Sequence, residues 1–269
     1  MELKSLKRLL AVPTVSYHED KMVAYLHSVL CFLPRVKVWT DQHKNVFVIK
    51  GSDAKPLPCV AAHIDSVQPL RNVTVRQDGG YLRGEFNGRA AGLGADDKTG
   101  IHVALQLLSR FENIALAFFA MEEVGFQGAR KADAAFFAKI GYLIEFDCPS
   151  RHMVSYTNNG VRLFDNQGDF IKKAWPVLQR HGSTLWQHHP FTDVTGIRER
   201  FPISCLNLSS GYYRWHAQDE FVKISDVDLA VEQGAALVTE LDSVRYPCPQ
   251  SLLEDMPPCP VGPLIVPPS

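Results

Sequence analysis

Three short apolar runs of this chain each lead into acidic or histidine side chains. Imidazole nitrogens and carboxylate oxygens together bind borderline divalent cations, zinc above all. The candidate ligands and their neighbours are, in chain order, His63, Asp65, Asp96, Asp97, Glu122, Glu123, Asp147 and His216. This set contains enough donors to hold two metal ions.

The apolar runs before His63, Glu122 and Asp147 are predicted to be strands of a parallel sheet. Ligands of such sheets bind beyond the carboxyl ends of the strands, where several loops meet. Side chains two positions apart on a strand share a face, so His63 can offer one ring nitrogen to a metal while Asp65 accepts a hydrogen bond from the other. The sequence therefore predicts a metal site at one edge of the sheet.

Two metal ions roughly 3.5 to 4 Å apart polarise a carbonyl and lower the pKa of a shared water. One carboxylate must then stay off the metals to move the proton, and the adjacent Glu122 and Glu123 could supply a base and a ligand. Zinc suits the donor set best, Co²⁺ or Mn²⁺ could replace it, and Ca²⁺ fits poorly.

Each of these motifs also has a common structural explanation. An Asp-Asp pair before a helix is usually an N-cap, and a Glu-Glu pair usually lies on a solvated face. Five acidic or histidine clusters occur in the order H-x-D, D-D, E-E, D and H. Three of them fall at strand ends that should be dry and neutral, which is a costly use of buried positions unless a metal binds there. The combination favours the metal site.

The composition argues against nucleic acid and membranes as partners. The chain has 269 residues, 46% of them hydrophobic, and 28 basic against 29 acidic residues, so no charge excess favours nucleic acid. No apolar run reaches the ~20 residues that span a bilayer, and no signal peptide is evident, which predicts a cytoplasmic protein without a membrane partner. We expect a single catalytic domain over residues 1–246 and a proline-rich tail over residues 247–269.

Alternating apolar patterns predict the fold class. Helical spacing covers residues 3–11 and 18–33, and further helices are expected at 98–111, 127–138, 166–180 and 225–241. Strands are expected at 36–39, 45–50, 114–121, 141–146, 184–187 and 203–208, with another ending at His63. This order predicts an α/β three-layer sandwich in which helices flank a mostly parallel, mixed β-sheet.

Together these motifs resemble the di-zinc metallopeptidase clan, most closely the peptidase T and acetylornithine deacetylase family. Similar stretches occur in the family's order at residues 9–16, 62–65, 94–100, 121–125, 146–147, 192–193, 211–216 and 220–222.

The resemblance implies a role for each position. It places His63 and Asp147 on one zinc, and Glu123 and His216 on the other, with Asp96 bridging the two ions. It also implies that Glu122 is the general base, that Asp65 orients His63, that the Asp96–Asp97 peptide is cis, and that Asp193 supports the site from behind.

Peptidase T relatives carry an inserted lid and dimerisation domain between the counterparts of Asp147 and His216. Here that segment is short and already predicted to form helices and strands, so the lid is expected to be absent. Residues beside the site loops are candidate substrate contacts: Asn158, Asn159, His188, His189, Tyr212, Tyr213 and Arg214.

The leading hypothesis is a co-catalytic di-zinc hydrolase that cleaves an amide bond in small peptides, as an aminopeptidase. One alternative is a deacylase of N-acyl amino acids, and another is a non-catalytic binding protein on a hydrolase fold. The sequence leaves the oligomeric state open.

Overall fold

Helices alternate with strands through most of the chain, as the apolar patterns predict. The computed structural model describes residues 3–52, 54–158, 160–189 and 192–250. Its helices are α1 (Leu3–Leu10), α2 (Asp20–Leu30), α3 (Ala95–Arg110), α4 (Gln127–Arg130), α5 (Ala134–Phe137), α6 (Asp169–His181), α7 (Asp193–Arg200) and α8 (Ile224–Leu241). Its strands are β1 (Val36–Thr40), β2 (Val46–Lys50), β3 (Leu57–His63), β4 (Thr74–Asp78), β5 (Tyr81–Phe86), β6 (Arg89–Ala91), β7 (Ile114–Phe119), β8 (Ile140–Cys148), β9 (Met153–Asn158), β10 (Val161–Arg162), β11 (Leu185–His189), β12 (Cys205–Ser209), β13 (Tyr212–Tyr213) and β14 (Phe221–Lys223).

Nine strands form the main sheet within the described residues. Their order is β1-β2-β7-β3-β8-β12-β9-β10, with β11 also paired to β9. The central strands β7, β3, β8 and β12 are mutually parallel, whereas β2 and β9 join them antiparallel. Strands β3, β7 and β8 are buried along their whole length, as expected for a sheet covered by helices on both faces. The predicted mixed α/β fold is confirmed.

Helix α3 ties the sheet to the helical layer. It packs against β3 and β8, and α8 packs in turn against α3 and α6. The close approach of α8 depends on Gly234, because a Cβ atom there would lie 2.8 Å from Leu107 and 2.9 Å from Phe146. The start of α3 is irregular: Gly94 has a left-handed φ of 59°, and the peptide between Asp96 and Asp97 is cis, as the resemblance implies.

The structure differs from the sequence prediction in one helix and in several strands. The predicted helix over residues 127–138 is two short helices, α4 and α5, because the Asp133 side chain accepts a hydrogen bond from the Ala135 N–H and starts a new helix. No strand was predicted between β3 and α3, but β4, β5 and β6 form there. With the later strands β13 and β14 they make a second, antiparallel sheet of order β13-β14-β5-β4, in which β6 pairs with β5. Strands β9 and β10 of the main sheet were not predicted either.

The segment between Asp147 and His216 belongs to the main body. In its described part it supplies β9, β10, β11 and β12 to the main sheet together with α6 and α7, and no separate lid domain.

The proline-rich tail is described only as far as Gln250. Pro247 forms a bridge with Ile203, and the Cys248 N–H donates to the Pro202 carbonyl. The prediction for the rest of the tail lies outside the described residues.

No helix in the described residues is long and apolar enough to cross a bilayer. The cytoplasmic location stays a prediction.

Candidate metal centre

The sheet brings the predicted ligands to one edge. His63 is the last residue of β3, Glu122 and Glu123 follow β7 by a short turn, and Asp147 lies near the end of β8. Because these strands are parallel, their carboxyl ends meet. The irregular start of α3 adds Asp96, so residues far apart in sequence share one buried cluster.

His63 lies at the centre of the carboxylates. Its Nε2 is 3.0 Å from Asp96 Oδ1, 3.6 Å from Asp147 Oδ1 and 4.0 Å from Glu122 Oε2. The ring is buried. Burial disfavours its charged form, but hydrogen bonding to the surrounding aspartates outweighs burial and raises the pKa of His63 well above its ordinary value.

His216 approaches the same cluster from the solvent side. Its Nε2 is 3.1 Å from Glu123 Oε2 and 3.4 Å from Asp96 Oδ2. Hydrogen bonds to Asp96 and Glu123 raise the pKa of His216 to about 10. The two oxygens of Asp96 therefore face different imidazoles, which is the arrangement that a bridging carboxylate needs.

Asp65 holds the loop after β7 and lies beside the ring of His63. One of its oxygens lies 3.5 Å from His63 Nδ1. The carboxylate also accepts hydrogen bonds from the Ser16 hydroxyl at 2.7 Å and from the N–H groups of Glu122 and Glu123 at 2.9 and 3.2 Å. Burial opposes ionisation of Asp65, but hydrogen bonding to His63 and these donors lowers its pKa.

The cluster contains more carboxylates than cations. Burial raises the pKa of Glu122 to about 8, and burial together with the charge of Asp96 raises the pKa of Asp147 well above its usual range. Glu123 Oε1 is buried and has no hydrogen-bond partner within the described residues. Such groups gain stability from protons or from divalent cations.

The donor set fits a metal ion. His63, Asp96 and Glu123 each place one ligand atom within 4.8 Å of the others. Imidazole with carboxylates is a typical ligand set for zinc. The cluster is therefore a possible metal site.

Glu220 supports the cluster, although sequence reasoning gave it no role. Its Oε2 accepts the N–H groups of Leu93 and Gly94, both at 2.7 Å, and its Oε1 accepts those of Ala95 and Asp96 at 3.0 and 3.3 Å. This buried carboxylate fixes the loop that delivers Asp96. The signal in the sequence was its place in the stretch 220–222, which resembles the family but to which no role was assigned.

Asn207 was also missed. Its Oδ1 accepts the Asp147 N–H at 2.9 Å from the neighbouring strand β12. A polar residue inside an apolar strand was the available signal.

Asp193 is buried, as a supporting residue should be, but it makes no hydrogen bond through its carboxylate within the described residues. Burial raises its pKa well above the usual range. The neighbouring Thr192 hydroxyl instead donates to Glu145, whose Oε2 also accepts the Val194 N–H at 3.4 Å.

A cavity of about 670 Å³ opens onto the cluster. That volume suits a small-molecule or short-peptide ligand. Its described lining residues are Asp96, Glu122, Glu123, Val124, Gly125, Asp147, Pro149, Met153, Gln187, His188, Tyr212, Trp215 and His216.

Of the predicted substrate contacts, His188 and Tyr212 line the cavity. Tyr213 instead donates to Asp226, and Arg214 pairs with Asp219. Asn158 is buried and outside the lining. Asn159 and the His189 side chain lie outside the described residues.

The sequence matches no protein-family model and no curated protein. The fold, however, resembles that of solved peptidase structures. The aminopeptidase PepT from Bacillus cereus has a TM-score of 0.71 and 14% identity over 89% of this chain and 97% of its own. A tripeptidase from Staphylococcus aureus has a TM-score of 0.73 and 14% identity over 88% of this chain and 96% of its own.

An aminopeptidase from the archaeon Desulfurococcus kamchatkensis has a TM-score of 0.66 and 15% identity over 89% of this chain and 94% of its own. At such identities the likeness establishes the fold, and a fold alone does not fix the reaction. The predicted structural resemblance to the peptidase T branch is confirmed.

Proposed function

We propose that this protein is a metal-dependent hydrolase that removes residues from the amino end of small peptides, with two zinc ions as cofactor. The observation that carries the proposal is the position of Asp96, whose two oxygens lie 3.0 Å from His63 and 3.4 Å from His216. The fold shared with solved aminopeptidases supports the same reaction class.

The residues divide into two ligand sets around Asp96. His63 and Asp147 would hold one ion, Glu123 and His216 the other, and Asp96 would bridge them. When bound, such a pair of ions lowers the pKa of a coordinated water and polarises the substrate carbonyl.

Glu122 is the best placed general base. It lines the cavity beside the cluster and is assigned to neither metal. Its carboxylate would accept the proton of the attacking water and return it to the leaving nitrogen. Asp65 would hold His63 Nδ1–H, so that Nε2 is free to bind metal.

The test is a metal analysis and a peptide-library digest of the same purified protein, in wild type, Glu122→Gln and Glu112→Gln. Glu112 is 70% exposed and far from the cluster in the fold, so its variant is the matched control. We expect about two zinc ions per chain in all three proteins, and a collapse of cleavage in Glu122→Gln alone. Absence of cleavage by the wild type with metal bound would favour the non-catalytic alternative.

A further inference from the structure

We propose that a second cavity of the protein binds a small molecule in which a carboxylate is joined to an apolar chain. This cavity lies among helices α1, α2 and α3 and has a volume of about 620 Å³. It shares no described lining residue with the cavity at the metal cluster. The inference is therefore independent of the proposed function.

The helical repeat explains how separate helices build one cavity. Ser5 and Arg8 are three positions apart in α1 and so lie on one face of that helix, and His102 and Leu105 have the same spacing in α3. Helix α1 packs against α3. Strand β2 contributes Lys50 to the wall. The side chains that these elements present determine which ligand the cavity can hold.

Much of the wall is apolar. Leu9, Leu30 and Leu108 line it and are at most 2% exposed. Val29 and Leu33 also line it but are 37% and 42% exposed. Apolar side chains that remain open to water in a concave site gain from contact with an apolar ligand. The wall therefore favours an apolar chain.

The charge on the wall is positive. Arg8 and Lys50 line the cavity, and no aspartate or glutamate of the described residues does. Lys50 already donates to the Leu108 carbonyl at 3.0 Å and lies 4.0 Å from Glu112. Arg8 makes no hydrogen bond or ion pair within the part of the chain that the structure describes. Its guanidinium is therefore a cation available to a carboxylate.

His102 adds a buried polar atom to the same wall. The residue is 1% exposed, and its Nε2 has no hydrogen-bond partner within the described residues. Burial lowers the pKa of His102 to about 4, so the ring is neutral at neutral pH. With its proton on Nε2, the ring can donate to a carboxylate oxygen. Because an unpaired buried polar group is unfavourable, a ligand oxygen at this position stabilises the complex.

The experiment measures binding of octanoate and of its neutral counterpart octanamide by calorimetry. It uses the full chain after metal removal and dialysis, because the bare cluster then presents four carboxylates to its own cavity and does not attract an anion. We expect one octanoate per chain with a dissociation constant of about 1 mM or tighter. Octanamide should bind about fivefold more weakly, since it lacks the charge that pairs with Arg8.

Equal or tighter binding of the amide would overturn the assignment of an anionic ligand. Absence of saturable octanoate binding would overturn the site itself. Neither measurement involves hydrolysis, so both outcomes are separate from those that test the proposed function.

A pair of variants locates the carboxylate. Arg8→Gln should weaken octanoate binding about fivefold and leave octanamide unchanged. Lys4→Gln removes the same charge from an exposed position of α1 outside the cavity wall, so it should leave both ligands unchanged. An unchanged affinity for octanoate in Arg8→Gln, or an equal loss in both variants, would contradict a contact with Arg8.

His102→Phe keeps a buried ring and removes the donor. Octanoate should bind about fivefold more weakly to this variant, with the fold confirmed by circular dichroism. Wild-type affinity in a folded His102→Phe would overturn the contact between the carboxylate and Nε2.

Discussion

Glu145 is predicted to make the protein less stable as the pH rises, and Glu145→Gln should remove that dependence. The side chain is fully buried beneath the cluster and accepts hydrogen bonds from the Thr192 hydroxyl and the Val194 N–H. Burial raises its pKa from 4.5 to about 7. Glutamine keeps the shape and one accepting oxygen but carries no charge.

The size of the effect follows from the pKa. A folded-state value of about 7 in place of 4.5 corresponds to about 3 kcal/mol, at ~1.4 kcal/mol for each pH unit. Because the folded pKa is raised, the stabilisation is complete below pH 4.5 and is lost as the pH rises through 7. The free energy of unfolding of Glu145→Gln should therefore rise relative to wild type by up to about 3 kcal/mol between pH 4.5 and 8.5.

The assay is urea denaturation of both proteins across this pH range in the presence of a chelator, so that metal binding does not contribute. Glu85→Gln is the matched control, because Glu85 is about one-third exposed and pairs with Arg76. The plot of its unfolding free energy against pH should run parallel to that of the wild type. If the Glu145→Gln and wild-type curves are also parallel, Glu145 does not carry the raised pKa assigned to it.

Three further predictions concern the cluster itself. Glu122→Gln should retain about two metal ions per chain by elemental analysis while kcat falls at least about a hundredfold, the lower range for loss of a general base; undiminished kcat would refute its role. His63→Ala should lower the metal content, and full retention would remove His63 from the ligands. Glu220→Ala leaves four buried N–H groups without their acceptor, so urea denaturation should show a loss of several kcal/mol; a loss below about 1 kcal/mol would contradict the assigned support.

The sequence predicted the ends of the central strands well, for a physical reason. Strands β3, β7 and β8 are buried on both faces, so each reads as a mainly apolar run, interrupted in β8 by Glu145, and the polar residues at its end are conspicuous. His63, Glu122 and Asp147 could be placed at one edge from this pattern. His216 follows no such run, and its place depended on the resemblance alone.

The residues that hold the ligands were harder to predict. Glu220 accepts hydrogen bonds from backbone N–H groups more than a hundred positions earlier in the chain. Because every residue except proline has a backbone N–H, the sequence does not show which of them a buried carboxylate will bind. The small sheet was missed because β4 is largely exposed, and because β5 buries only Leu82 and Gly84 fully. Patterns of apolar residues report burial, and these two strands bury few apolar side chains.

The small sheet nevertheless explains how the cluster is held together. His216 and Glu220 lie on one short connection between β13 and β14, and these strands pair through Tyr212 with Val222 and Tyr213 with Phe221. Strand β14 is fixed to β5 on its other side. The same connection thus brings His216 within 3.4 Å of Asp96 and holds the backbone N–H of Asp96 through Glu220. A shift of this connection would move a proposed ligand of one ion and the carboxylate between the two ions together, so the small sheet positions the cluster as much as the strand ends do.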